Sequence, residues 1–231
     1  MDDFICFSTS FEKYKVSLQL PDDVDLRAYE FRKEVFCDEL GWSIPVCYKY
    51  DIDRHDDNVV HFTVSYENNI IAFLRLHPYN TDWMTNTLFR KIAPNNIDHE
   101  KTSASCEVSR LAISTRHRKD RINGTIPLVE LLYSALYAFC KLNKIRYVYM
   151  TVSTTVFRAL RLRGLPCHQL GDTHIMEDGL PTVAARLDWT LFDEECAIRN
   201  PSRTARFHSF LHIARNNAFI SSRPSQLVSG L

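Results

Sequence analysis

Charged and polar side chains interrupt an apolar segment near the middle of the chain, at residues 106–113. The segment reads Cys-Glu-Val-Ser-Arg-Leu-Ala-Ile, and we predict that it forms a buried strand. Glu107 and Arg110 would then lie in a core, where a carboxylate or a guanidinium is costly unless it is paired or functional. Matching charges stand upstream at Arg32, Asp53, Asp56 and Arg75. This combination predicts a charged pocket in an enzyme, where a carboxylate can act as an acid or a base.

The composition of the chain excludes several classes of protein. Its 231 residues, 45% of them hydrophobic, can bury a sizeable core, most simply in one large domain. Lysine plus arginine and aspartate plus glutamate both number 28, so net charge predicts neither a nucleic-acid binder nor a membrane-surface protein. The seven cysteines never form Cys-x-x-Cys, which favours reduced thiols. The sequence has no apolar run long enough to span a membrane, and Met1-Asp2-Asp3 lacks the basic start of a signal peptide. We therefore expect a soluble, cytoplasmic protein.

The apolar periodicity predicts a mixed α/β fold. We predict strands at 14–20, 59–66, 70–77, 106–113, 145–152 and 182–189, and helices at 21–40, 84–91, 127–142 and 154–163. The first helix would begin at an Asp N-cap within 21–23 and end at Gly41. An α+β mixed sheet with helices on both faces is the expected architecture. Residues 1–191 would form this domain, and residues 192–231 a carboxy-terminal appendage with a basic helix and a loose tail.

The order of these elements resembles the GNAT acyltransferase fold, and the polar residues resemble the acyl-homoserine-lactone synthases, a bacterial autoinducer-synthase family. The resemblance covers residues 10–190, where signature positions carry the expected residue types in the expected order. They are Arg32-x-x-x-Phe36, Leu40-Gly41-Trp42, Asp51-x-Asp53-x-x-Asp56, Arg75-Leu76-x-Pro78, Trp83-Met84, Phe89 and Glu107-x-Ser109-Arg110. Such an enzyme would transfer an acyl chain from a thioester to the amine of S-adenosylmethionine. Lactonisation would then release methylthioadenosine.

The resemblance implies a role for each signature residue. Glu107 would be the base that takes the proton of the amine, with Asp53 and Arg110 as further catalytic residues. The cationic sulfonium and amine of the substrate suit Asp53 and Asp56, and its carboxylate requires one of the arginines. The implied substrate-binding set is Arg32, Phe36, Trp42, Asp56, Arg75, Phe89 and Ser109. Its aromatic residues Phe36 and Trp42 would pack against the adenosine part of S-adenosylmethionine. We expect no metal and no tightly bound cofactor, because the histidines lack a ligand spacing.

The resemblance also implies where the acyl donor is held. Met150, Val152 and Ser153 would line the tunnel for the acyl chain, and Met150 favours an unsubstituted acyl group. The basic residues after the central strand would receive an acyl-carrier protein, or the pyrophosphate of acyl-CoA, by charge attraction. The residues implied for this docking are Arg116, Arg118, Lys119 and Arg121 in this basic loop, together with Arg158 on the helix predicted at 154–163.

Several alternatives stay open at this point. Leu111 stands where the lactone synthases commonly carry Phe, and the basic run 116–121 resembles the N-acyl amino acid synthases, which acylate a free amino acid without S-adenosylmethionine. A third possibility is a catalytically silent GNAT-like module that binds acyl carrier or metabolite. Taken singly, Glu107 and Arg110 could form a structural ion pair, and Arg32 could form one at the surface. The basic run could also be an ordinary solvated loop.

Overall fold

The structure is a computed structural model that describes residues 4–20, 23–42, 49–93 and 97–221. Within these ranges nine strands form one mixed sheet, and two short strands form a separate hairpin. The strands are β1 (Phe4–Phe11), β2 (Tyr14–Gln19), β3 (Val60–Tyr66), β4 (Asn69–Pro78), β5 (Ser105–Ile113), β6 (Arg121–Ile122), β7 (Ile126–Pro127), β8 (Tyr147–Ser153), β9 (Cys167–Ile175), β10 (Pro181–Asp188) and β11 (Ala218–Ser221). The sheet order is β11-β1-β2-β3-β4-β5-β8-β10-β9, in which β5 and β8 are parallel and the other neighbours antiparallel.

Helices cover both faces of this sheet. They are α1 (Arg27–Lys33), α2 (Val129–Leu142), α3 (Thr154–Leu162), α4 (Trp189–Leu191), α5 (Ala197–Arg199) and α6 (Pro201–Asn216), with π-helical turns at Glu34–Glu39 and Phe192–Cys196 and 3₁₀ turns at Met84–Asn86, Ile97–Glu100 and Thr115–His117. On one face, Phe31 of α1 packs with Phe73 of β4. The opposite face of β4 joins the main core with α2, α3 and α6, because side chains alternate along a strand. Among the described helices, none is long and apolar enough to cross a membrane.

The predicted mixed sheet with helices on both faces is confirmed, with three differences in its elements. Strands β1, β9 and β11 of the sheet, and the separate hairpin of β6 and β7, were not predicted. The Asp N-cap is wrong, because α1 begins only at Arg27 and its N-cap position, Leu26, makes no side-chain cap hydrogen bond; residues 21–22 lie outside the described residues. The helix predicted at 84–91 is only the short 3₁₀ turn Met84–Asn86.

The described residues beyond 192 pack closely on the rest of the chain. Phe207 and Phe210 of α6 lie in the main core, and β11 pairs with β1. Buried Arg203 of α6 donates to both carboxylate oxygens of Glu130 on α2, at 3.0 and 3.1 Å. The domain boundary at residue 192 stays a prediction, and the predicted loose tail from residue 222 lies outside the described residues.

A bulge in β5 explains the irregular pattern of the central strand. Against β4, Phe73 pairs with Ala112 but Arg75 pairs with Ser109, so β5 holds one extra residue in this interval. That residue is Arg110, whose φ of 55° lies in the left-handed region. Because of the bulge, Ser109 and Arg110 both reach the α1 face of the sheet, while Leu111 packs against the main core.

The sheet opens between its two parallel strands. Strands β5 and β8 pair only from Ser105↔Tyr147 to Val108↔Met150. Beyond that point β5 continues along β4 as far as Ile113, and β8 continues along β10 as far as Ser153. The opening therefore begins beside Ser109 on one strand and Thr151 on the other.

Candidate active site

Three arginines and three aspartates form one ion-pair network on the α1 face of the sheet. The members are Arg32, Arg75, Arg110, Asp51, Asp53 and Asp56. Arg32 projects from α1 and is fully buried; its Nη1 lies 2.6 Å from Asp56 Oδ1 and its Nε 3.1 Å from Asp51 Oδ2. The sequence alternative of a surface ion pair at Arg32 is therefore wrong. Burial of this charge is tolerated because its donors meet two carboxylates.

The other two arginines complete the network from the sheet. Arg75 of β4 places Nη1 2.8 Å from both Asp53 and Asp56, and its Nε donates to the Ser109 hydroxyl at 2.9 Å. Arg110 donates from Nε to Asp51 at 3.1 Å and from Nη2 to Asp53 at 3.0 Å. The alternative of a structural ion pair between Glu107 and Arg110 is wrong, since Arg110 pairs with the aspartates.

Neighbouring charges lower the pKa values of two of these aspartates. Burial raises the pKa of Asp56, but the His61 ring, 3.5 Å away, and the charges of Arg32 and Arg75 outweigh that effect and hold the pKa well below its usual range. Burial also raises the pKa of Asp53, and the charge of Arg75 outweighs it and lowers that pKa. Both carboxylates are therefore ionised at neutral pH.

The lowered aspartate pKa values predict a loss of stability in acid. Below the ordinary aspartate value of 3.8, the unfolded chain binds more protons than the folded one. The stabilisation is therefore complete above about pH 4 and is lost as the pH falls further. Thermal unfolding measured from pH 6 to pH 3 should show a melting temperature that falls steeply below about pH 4. Asp56→Asn should show a shallower fall, and an unchanged slope in this variant would contradict the assignment.

Glu107 lies on the same face, under the segment that contains Met84 and Thr85. It is 1% exposed, and its two oxygens accept hydrogen bonds from the Met84 amide at 2.5 Å, the Thr85 amide at 2.9 Å and the Thr85 hydroxyl. Burial raises its pKa to about 7, although the bonds from Thr85 and Met84 and the charge of Arg75 favour ionisation. A carboxyl group with a pKa near neutrality is suited to accept a proton at physiological pH.

Met84 connects Glu107 to the ion-pair network. Its amide binds Glu107, while its sulfur lies 3.3 Å from Nη2 of Arg75. The position of the segment is fixed by Trp83, whose ring packs on Tyr149 with centroids 5.2 Å apart and whose Nε1 donates to the Pro78 carbonyl at 2.9 Å. Glu107 and the charged cluster therefore belong to one site.

Two aromatic rings border the network at Arg110. The Phe36 and Trp42 centroids are 4.9 Å apart, and the Arg110 guanidinium lies 5.2 Å from the first and 5.7 Å from the second. Phe36 is buried, whereas Trp42 is 43% exposed. An indole in this position can stack on a planar ligand that contacts Arg110.

The structure brings most of the predicted site residues together and places the others elsewhere. The residues that come together are Arg32, Phe36, Trp42, Asp53, Asp56, Arg75, Glu107, Ser109 and Arg110. Phe89 is half-buried in the turn after Met84, to whose carbonyl its amide donates at 2.9 Å. Met150 and Val152 belong to the main core on the opposite face, and the Ser153 hydroxyl accepts from the Val156 amide at the start of α3.

The residues predicted to dock a carrier lie on the surface. Arg116, Arg118, Lys119, Arg121 and Arg158 are all exposed. Arg118 donates to Glu39 at 2.9 Å, and Arg121 donates to the backbone carbonyls of Lys119 and Asp120.

Sequence analysis missed several polar residues of the site. Asp51 stood in the quoted motif, yet it was given no role. The buried His77 places Nε2 2.9 Å from the Ser109 hydroxyl, and the buried Thr85 binds Glu107. The alternation of Arg75 and His77 along β4 was the available signal for the histidine, because both must face the same side of the sheet.

Comparisons with known proteins show the family of this chain. The family model described as Autoinducer synthase matches residues 18–194. An acyl-homoserine-lactone synthase of Aeromonas salmonicida is 29% identical over 161 residues, which cover 68% of this chain and 76% of the relative. A similar protein from Aliivibrio fischeri is 24% identical over 160 residues, which cover 68% of this chain and 82% of that protein.

Solved structures show the same fold. The CoA-dependent acyl-homoserine lactone synthase BjaI, with SAM and isopentyl-CoA, superposes with a TM-score of 0.63 at 19% identity, covering 81% of this chain and 82% of BjaI. An acyl-CoA N-acyltransferase from Pseudomonas aeruginosa has a TM-score of 0.51 at 18% identity, covering 75% of this chain and 98% of that one. These matches confirm the resemblance predicted from the signature residues. Because the family match spans residues 18–194, the chain belongs to the autoinducer synthase family and is an acyltransferase.

Proposed function

We propose that this acyltransferase moves an acyl chain from a thioester to the amine of S-adenosylmethionine, and that lactonisation then releases methylthioadenosine. The observation that carries the proposal is a buried Glu107 with a pKa of about 7, joined through Met84 to a network of paired charges. The structures similar to this chain include BjaI with SAM and isopentyl-CoA and TofI with MTA and an inhibitor. A metabolite that carries an ammonium, a sulfonium and a carboxylate suits such a network.

The charged residues divide into two groups by their exposure. The side chains of Arg32 and Arg75 are 0% exposed, so their task is to hold the aspartates in place. The side chains of Asp53 and Arg110 are 17% and 9% exposed, so they are the part of the network that a ligand can reach. We infer that Asp53 attracts the cationic groups of the acceptor, Arg110 binds its carboxylate, and Trp42 covers the adenosine part.

The opening between β5 and β8 is the proposed entry of the thioester. In the described ladders β5 pairs with β8 only as far as Val108. The backbone amides of β5 that come after Val108 and face the opening can therefore donate to the thioester oxygen. The amine attacks the carbonyl carbon, Glu107 receives the amine proton, and collapse of the tetrahedral intermediate expels the thiolate. The acyl chain would then extend past Met150 and Val152 into the core on the other face.

The acyl donor is proposed to be an acyl-carrier protein that docks on the exposed basic residues after β5 and on α3. Acyl-carrier proteins are acidic, so the complementary charge would accelerate their encounter. The double charge reversal Arg118→Glu/Arg121→Glu should raise the KM for acyl-carrier protein about tenfold and leave kcat nearly unchanged. Steady-state kinetics with purified acyl-carrier protein tests this.

The matched control for docking is Lys91→Glu, which reverses an exposed charge in a distant part of the sequence. This variant should keep the wild-type KM. An unchanged KM in the double reversal would contradict docking at these residues. If acyl-CoA is used with a lower KM than acyl-carrier protein, the carrier is not the donor.

A competition between acceptors tests the proposed function itself. The purified protein is incubated with mixed acyl thioesters, S-adenosylmethionine and the twenty amino acids together, and the products are identified by mass spectrometry. We expect an acyl-homoserine lactone and methylthioadenosine. A linear N-acyl amino acid in their place would establish the alternative acceptor and overturn the proposal.

A further inference from the structure

Two hydroxyl groups connect Glu107 to the opening in the sheet. The Thr85 hydroxyl is hydrogen-bonded to Oε1 of Glu107, and it lies 3.2 Å from the Thr151 hydroxyl. Thr85 belongs to the segment that covers the carboxylate. Thr151 stands on β8, two residues after Tyr149, which pairs with Glu107. Because residues two apart on a strand share a face, the Thr151 side chain is on the face of Glu107.

The burial of these groups increases from the opening inwards. Glu107 and Thr85 are each 1% exposed, so a substrate has little direct access to the carboxylate. Thr151 is only half-buried, and it is the first residue of β8 beyond Met150, where the pairing with β5 ends. A thioester and an amine that meet in the opening would therefore contact the Thr151 hydroxyl before they could contact Glu107.

We propose that Thr151 and Thr85 relay the amine proton to Glu107 during acyl transfer. As the amine nitrogen forms its bond to the carbonyl carbon, its proton passes to Oγ1 of Thr151. The Thr151 proton passes to Oγ1 of Thr85, and the Thr85 proton passes to Oε1 of Glu107. One N–H bond is replaced by the O–H bond of Glu107, and both hydroxyls end the step neutral. The relay rests on the proposed role of Glu107 as the base.

The other titratable groups around Glu107 have partners of their own. From β4, Arg75 binds the aspartates and Ser109, and His77 contacts the Ser109 hydroxyl at 2.9 Å. From β8, the Tyr149 hydroxyl donates to Glu100 at 2.7 Å. Thr85 and Thr151 are thus the described hydroxyls that join the carboxylate to the opening.

Substitutions that remove a threonine hydroxyl but keep the shape of the side chain test the relay. We expect Thr151→Val to lower kcat for acyl transfer about 10- to 100-fold between pH 6 and 9 and to leave both KM values within about twofold. Thr151→Ser should retain most of the activity, because it keeps the hydroxyl. Thr85→Val should lower kcat and also move the acid limb of the pH profile to higher pH, since a donor to the ionised carboxylate is lost. Thr85→Ser should keep both kcat and the acid limb of the pH profile close to those of the wild type.

The controls separate the relay from the role of the base. Melting temperatures verify folding, and Thr151→Ala supplies a second variant without the hydroxyl. A wild-type kcat in folded Thr151→Val or Thr151→Ala, or a Thr151→Ser variant as slow as Thr151→Val, would overturn the relay. Glu107→Gln is measured in the same assay. Full activity in Glu107→Gln would contradict the role of Glu107 as the base. A low kcat in Glu107→Gln together with a wild-type kcat in Thr151→Val would contradict the relay but not the role of the base.

Discussion

Glu107→Gln is expected to lower kcat for acyl transfer by about 10²- to 10³-fold and to leave the KM for the acceptor within a few-fold. The amide cannot take a proton from the attacking amine, whereas its size still fits the site under Met84 and Thr85. Single-turnover release of thiol from the acyl donor measures the step without interference from product release.

The matched control for this substitution is Glu130→Gln, at a buried glutamate on α2 that pairs with Arg203. It should lower the melting temperature, because Arg203 loses its buried counter-charge, and keep kcat close to wild type. An active Glu107→Gln enzyme, or an equal loss of kcat in both variants, would contradict the role of Glu107 as the base.

Arg32→Met is expected to lower the free energy of unfolding by about 3–5 kcal/mol, because two buried carboxylates each lose one of their two arginine partners. Asp51 and Asp56 are both buried, and each is within 3.1 Å of an Arg32 nitrogen. For a domain of this size the change corresponds to a fall in melting temperature on the order of 6–20 °C. Differential scanning calorimetry at pH 7 measures it.

Arg27→Met provides the comparison on the same helix. Arg27 is exposed and pairs with Asp25 at the surface, so its loss should change the melting temperature little. Arg32→Lys should be intermediate, because the ammonium keeps the charge but loses the planar fork that meets two aspartates. Equal melting temperatures for Arg27→Met and Arg32→Met would show that the network does not stabilise the fold.

The strand that carries the site was predicted at 106–113 and is found at Ser105–Ile113, but the bulge inside it was not predicted. The residue types in Glu107-x-Ser109-Arg110 predicted partners elsewhere in the chain, because charges inside an apolar segment require them, and Arg110 does pair with Asp51 and Asp53. The bulge at Arg110 was not predictable, since it is defined by the offset between Arg75↔Ser109 and Phe73↔Ala112 on a separate strand. Only that offset shows how two consecutive polar residues reach one face.

Contacts between distant parts of the chain account for most of what was missed. Thr85 and Thr151 are 66 residues apart, and no local pattern marks either one as a neighbour of Glu107. Strand β9 is an edge strand with mostly exposed side chains, so it lacks the buried apolar face that alternation would reveal. The strands predicted at 59–66 and 70–77, by contrast, are found within one residue at each end, because their alternation is local; the turn between them has positive φ at Glu67 and Asn68.

One measurement tests the central claim, that Glu107 and its charged neighbours form an acyl-transfer site for S-adenosylmethionine. Wild-type and Glu107→Gln proteins are each given an acyl thioester and isotopically labelled S-adenosylmethionine, and labelled lactone and methylthioadenosine are quantified in the same samples. The predicted result is equal molar amounts of both products from the wild type, with both lowered together at least about 100-fold in Glu107→Gln. Thiol release by the wild type without methylthioadenosine, or undiminished product from Glu107→Gln, would contradict the claim.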